Sequence, residues 1–133
     1  MNKTSAIEWL KKAYHDLKSA QILYEANHYT DSIGVDLHYS IEKQLKSFLA
    51  YENKKIPKSH NLPELYEIVN EYIEINDDIL YTATKYHIEV SYPQYDRGMP
   101  ERKEIKAVMD FTENLLEKIS KVLKIKKIEY IDE

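Results

Sequence analysis

The chain contains no cysteine, which excludes disulfide scaffolds, zinc fingers built on thiolates, redox pairs and thiol nucleophiles. Glycine occurs only at Gly34 and Gly98, and proline only at Pro57, Pro63, Pro93 and Pro100. Turn chemistry is therefore scarce, and long helices with few, well-marked breaks are the expected result. No apolar run approaches the roughly 20 residues that a membrane-spanning helix needs. The start Met1-Asn2-Lys3-Thr4-Ser5 leads instead into an amphipathic pattern that soon meets Glu8 and Lys11. Neither a signal peptide nor a membrane partner is expected, and the cytoplasm is the expected compartment. Net positive charge is also lacking: the balance of −4 argues against a protein that coats duplex DNA through its overall field. A local basic pocket is compatible with that balance. A glycine-rich phosphate loop, a nucleophile elbow and a triad spacing are missing as well.

What the sequence does have is helical periodicity, over a length of 133 residues that suits one domain spanning 1–133. Ala6, Leu10, Ala13, Leu17, Ala20 and Tyr24 recur at three- and four-residue steps, so the first helix runs from about Ser5 to Asn27. Thr4 or Ser5 is expected to cap it, with Glu8 completing a capping box. Ile33, Leu37, Ile41, Leu45, Phe48 and Leu49 mark a second, deeply buried helix that ends near Asn53. A polar stretch through Pro57 then connects to a third helix opening at Asn61-Leu62-Pro63, with Leu62, Leu65, Ile68 and Val69 facing inward. Asn76-Asp77-Asp78 signals a fourth, shorter helix through Ile79, Leu80, Ala83 and Tyr86. Periodicity fails between His87 and Pro100. A last helix begins near Glu101, its stripe formed by Ile105, Val108, Thr112, Leu115, Ile119 and Val122 and widened by Met109, Phe111, Leu116 and Leu123.

Three long helices and one or two short ones bury these stripes most simply as an all-α, up-and-down antiparallel bundle of four to five helices. The 12 tyrosines either fill its core or line a pairing surface.

The residues that could carry chemistry gather on the second helix. On a helical wheel His38 falls inside the apolar arc and Glu42 at its edge, four residues on, within hydrogen-bonding reach. The pair is either a satisfied core contact or the heart of a site. Lys43 and Lys46, with the nearby Lys54, Lys55 and Lys58, form either a solvated face or a cradle for phosphate. His60 stands where the third helix opens, to cap it or to join an anion site. Glu25-Ala26-Asn27-His28 has the Glu-x-x-His spacing of di-iron bundles, but no second copy exists, so no metal or other cofactor is expected.

The helix Ile33 to Ser47, with Glu42-Lys43 and Leu45-Lys46, is followed by His60-Asn61-Leu62 and then Tyr92-Pro93. These three motifs, in this order, resemble the small stand-alone prokaryotic HEPN domain of the nucleotidyltransferase-associated type. The resemblance covers the chain from its first helix to its last. It implies a helical bundle, commonly a homodimer, encoded beside a small nucleotidyltransferase in toxin-antitoxin-like modules and associated with nucleotide binding or RNA cleavage. His38-Tyr39 stands where the family typically has Gln-Gln, and Ser91 where it has the arginine of Arg-Tyr-Pro, leaving Arg97 as the nearest guanidinium. Ribonuclease members carry an arginine followed four to six residues later by histidine, and here neither Arg97 nor Arg102 is followed by any histidine.

The leading expectation is therefore a module that binds a nucleotide or a nucleotidyltransferase partner rather than an enzyme. Its site would be formed or bordered by His38, Glu42, Lys43, Lys46, His60, Tyr92 and Arg97, with no catalytic residue among them. The alternatives are a divergent metal-independent ribonuclease using His38 or His60 with Arg97, and a purely structural dimeric interaction protein.

Overall fold

Among the described residues five α-helices make up the architecture: α1 (Lys3–Glu25), α2 (Thr30–Tyr51), α3 (Leu62–Val69), α4 (Asp78–His87) and α5 (Arg102–Leu123). The computed structural model describes residues 1–88, 90–93 and 98–131, and no strand occurs among them. The fold is thus the all-α bundle that the periodicity predicts.

The helix ends follow from the shortage of glycine. A helix commonly closes on a left-handed residue, usually glycine. Here Asn27, Asn53 and Lys124 adopt φ of 56°, 57° and 57°. Asparagine tolerates that region through its short polar side chain. At each end the next residue's N–H reaches back to a carbonyl one turn and a half earlier: His28 to Leu23, Lys54 to Leu49 and Ile125 to Ser120, all at 2.9 Å. At its start α1 is capped by Asn2, whose side chain accepts from the Ser5 N–H at 3.0 Å, and not by Thr4 or Ser5. Asn2 wins because it makes a second bond: its own N–H donates to the Tyr51 carbonyl at 2.7 Å, tying the start of α1 to the end of α2.

α2 is the central element and packs against each of the other four helices. Leu10 and Leu17 of α1, Ile33, Leu37, Ile41 and Leu45 of α2, Leu65 of α3, Leu80 of α4 and Ile105 and Ile119 of α5 meet in one core. A buried polar seam locks the long helices in register: the Ser40 hydroxyl donates to the Ala13 carbonyl at 2.7 Å, and the Gln44 amide donates to the Thr112 carbonyl at 3.1 Å. Two expected core positions turn outward, Ile68 at 44 % and Val122 at 43 % exposure. α3 has only two turns, and its buried stripe is Leu62, Leu65 and Val69; in α5 the neighbouring Leu123 takes the inward position. The third and fourth helices stay separate. After α5 the chain folds back, so that buried Tyr130 meets Tyr14 edge-on at 6.1 Å.

Candidate functional site

The site is built where α2, the α2–α3 connection and α4 meet. His38, Glu42 and Lys46 follow one another at four-residue steps and so share one face of α2. His38 is fully buried, and the side chains of Glu42 and Lys46 are each only 6 % exposed. The connection returns along α2 and delivers His60, whose side chain is half exposed. Thr84 of α4 holds that turn in place: its hydroxyl donates to the His60 carbonyl at 3.1 Å and accepts from the Leu62 N–H at 3.2 Å. Asn61 then caps α3 by accepting from the Glu64 N–H at 3.0 Å.

Glu42 is the hub. Its Oε1 lies 3.2 Å from His38 Nε2 and 2.7 Å from His60 Nδ1, while Oε2 accepts from Lys46 Nζ at 2.9 Å. The other ring nitrogen of His38, Nδ1, lies 3.0 Å from the Ala83 carbonyl. A carbonyl only accepts, so Nδ1 carries a proton, and Nε2 donates to the Glu42 carboxylate only when the ring holds a second proton. Burial pushes the Glu42 carboxyl up, but hydrogen bonds from His38, His60 and Lys46, with the Lys46 charge, outweigh it and hold it down at about 2.

A residue that the sequence reading passed over completes the group. His87, the last residue of α4, stacks on His38 at 4.9 Å and on His60 at 4.4 Å between ring centroids, with Tyr39 edge-on at 5.6 Å. Burial, and then the neighbouring His38 and His60, lower its pKa below the usual histidine value against the pull of Glu42. The signal for His87 is its four-residue step from Ala83, the residue whose carbonyl holds His38. That step has meaning only once α4 is docked on α2.

The other expected residues that are described do not join. Lys43 turns to α1 and pairs with Asp16 at 2.7 Å. Tyr92 is exposed, on the segment after α4. Arg97 lies outside the described residues. Arg102 is committed elsewhere, stacked 4.0 Å above the Tyr24 ring and donating to the Tyr24 carbonyl at 3.1 Å. With Lys43 and Lys46 each matched to a carboxylate, three of the five lysines expected near the site are left for an anion, Lys54, Lys55 and Lys58. They line a hollow of about 490 Å³ together with Leu49, Ile56, Pro57 and the outward-turned Ile68.

The linkage between the site and stability has a definite sign. Glu42 titrates near 2 in the folded chain against 4.5 for a free glutamate. Its contribution is therefore complete above about pH 4.5 and is lost as pH falls toward 2. His87, lowered below 6.5, takes up its proton more readily when unfolded, which also weakens the native state as pH falls below that value. Urea midpoints are expected to hold steady above about pH 7 and to decline below it, with the Glu42 limb worth at most about 3–4 kcal/mol at ~1.4 kcal/mol per unit of displacement. Glu42→Gln should remove the steep limb below about pH 4.5, and a variant that keeps it would show that other carboxylates govern the acid transition.

The comparisons agree with this architecture. The HEPN domain family model matches residues 6–123, and none of the curated proteins matches the chain. TT1696 from Thermus thermophilus has a similar structure: TM-score 0.74 at 22 % identity, covering 92 % of this chain and 99 % of that one. At that identity the likeness is one of fold. No helix among the described residues is long and apolar enough to cross a membrane. With the family match running from the core of α1 to the last residue of α5, over the helices that carry the Glu42-Lys43 and His60-Asn61-Leu62 motifs, this chain belongs to the HEPN domain family.

Proposed function

We propose that this HEPN-family chain is a nucleotide-binding module that receives its ligand in the hollow between the end of α2 and α3. The observation that carries this reading is the composition of that hollow: Leu49, Ile56, Pro57 and Ile68 supply apolar surface for a base, and Lys54, Lys55 and Lys58 supply cations for the phosphates. Its volume of about 490 Å³ lies within the usual range for small-ligand sites. The same connection that carries the lysines also carries His60. The wider reading is the one the resemblance implies, a homodimer beside a nucleotidyltransferase partner in a toxin-antitoxin-like pair, and Tyr81 and Ile88 expose apolar surface for such contacts.

Isothermal titration of the full chain should give heat with ATP and weaker binding with AMP and adenosine, because each lost phosphate removes a charge-assisted contact. The double variant Lys55→Ala, Lys58→Ala is expected to weaken ATP binding about tenfold, the equivalent of ~1.4 kcal/mol. Lys43→Ala, which touches Asp16 on α1, should leave it unchanged. Absence of heat with every nucleotide, or equal affinity for ATP and adenosine, would overturn the reading.

A further inference from the structure

We propose that His38, Glu42 and His60 form a site for one late first-row divalent cation of the zinc type. The site is separate from the lysine-lined hollow and goes beyond the nucleotide reading. One ligand atom from each of the three residues lies within 4.8 Å of the other two. A tetrahedral ion with bonds of about 2.0–2.1 Å holds its ligands roughly 3.3 Å apart. The His38 Nε2 to Glu42 Oε1 edge is already 3.2 Å. The His60 to Glu42 edge is 2.7 Å and has to open, and His60, whose side chain is half exposed, is the member that has to shift.

Three further features are those expected around a metal ligand. A ligating histidine donates its second ring N–H to a carbonyl or carboxylate, which fixes its tautomer. His38 does this through Nδ1 to Ala83 and so aims the Nε2 lone pair at the shared point. A ligating carboxylate is in turn held by a hydrogen bond to its other oxygen, and Lys46 holds Oε2. The His87 ring stacked on both imidazoles fixes their planes.

The donor set decides the kind of metal. Two imidazoles and one carboxylate suit zinc, cobalt, nickel or copper, whereas magnesium and calcium require a cage of oxygens. With three protein ligands the fourth position stays open on the solvent side of His60, where a water or an anionic ligand would bind. The Glu-x-x-His spacing at Glu25 and His28 gives no sign of this set, whose third member arrives from another element. His28 itself is exposed and meets the Tyr29 ring edge-on at 5.3 Å.

The test is calorimetric titration of the tag-free full chain, stripped with chelator, with zinc chloride and separately with magnesium chloride. The expected result is one zinc per chain and no magnesium heat. His60→Ala should lose affinity at least about tenfold, a ligand being worth no less than the outer-shell partners that cost 10–100-fold, and His28→Ala should bind as the native chain does. Because His60 is half exposed the variant is expected to fold. Nitrogen-15 spectra of the native chain give a second readout, in which zinc shifts His38 Nε2 and His60 Nδ1 and leaves the His28 ring unmoved. No saturable heat, unchanged affinity in His60→Ala, or zinc shifts confined to other histidines would overturn the proposal.

Discussion

Replacement of Glu42 by alanine is expected to cost about 3–5 kcal/mol, the cost of leaving a buried charge without its partner. That is a large part of the roughly 5–15 kcal/mol that stabilises a domain of this kind. The loss falls on two groups. Lys46, with a side chain only 6 % exposed, would keep its ammonium against the Trp9 ring at 6.0 Å with no anion beside it. His38, fully buried, would keep the Ala83 contact and lose the partner of Nε2. His60 loses least, because water reaches it. Glu42→Gln preserves shape and one acceptor oxygen but points an amide N–H₂ at a donor, so about half the loss is expected. The pair of substitutions Glu42→Leu and Lys46→Met should recover the share that falls on Lys46, since a buried ion pair exchanged for apolar groups of similar volume is often neutral or better, while His38 Nε2 stays without its partner. Urea titration with a constant m-value measures each step. A Glu42→Ala chain within about 1 kcal/mol of the native one would mean that water, and not the carboxylate, satisfies these groups.

The bundle was legible because its information is local. A stripe such as Ile33, Leu37, Ile41, Leu45 needs only the helical period to be read, and all four side chains are buried in the structure. The His38–Glu42 contact was legible for the same reason, as a four-residue step on an inward face. What escaped depends on how helices dock. Lys43 is adjacent to Glu42 but about 100° away around the helix. It therefore looks at Asp16 on α1 instead of joining the site. There it also bears on Asp36, whose carboxyl is raised first by burial and then by Asp16, with Lys43 opposing. Ile68 reads as a core residue by composition, and the short α3 turns it outward to line the lysine hollow. His87 had no local signature, because its three aromatic neighbours come from α2 and from the α2–α3 connection.

Gly34 lets α4, on which the site depends, pack closely on α2, and substitution there is expected to disturb that docking. A Cβ at Gly34 would stand 3.0 Å from Cγ and 3.1 Å from Cδ2 of Tyr86. The ring has little room to retreat: Tyr86 is buried, and its hydroxyl donates to Glu104 at 2.6 Å. Two effects oppose each other in Gly34→Ala. The helix interior gains about 1 kcal/mol from exchanging glycine for alanine, while forcing apart a packed contact costs about 1–3 kcal/mol. A net loss near 1 kcal/mol is expected. Gly34→Val adds two γ carbons against the same ring with little gain in propensity, and the loss should rise to about 3 kcal/mol. Trimming the ring by Tyr86→Leu in the Gly34→Ala background should give back part of it, with a coupling energy of roughly 1 kcal/mol between the two positions. Because Ala83, Thr84 and His87 all ride on α4, the valine variant should also loosen the hold on His38 and His60, seen as altered ring signals for both histidines in nitrogen-15 spectra. A Gly34→Ala chain more stable than the native one by the full helix-propensity gain would show that Tyr86 yields freely, and would leave the position of α4 to be set by other contacts.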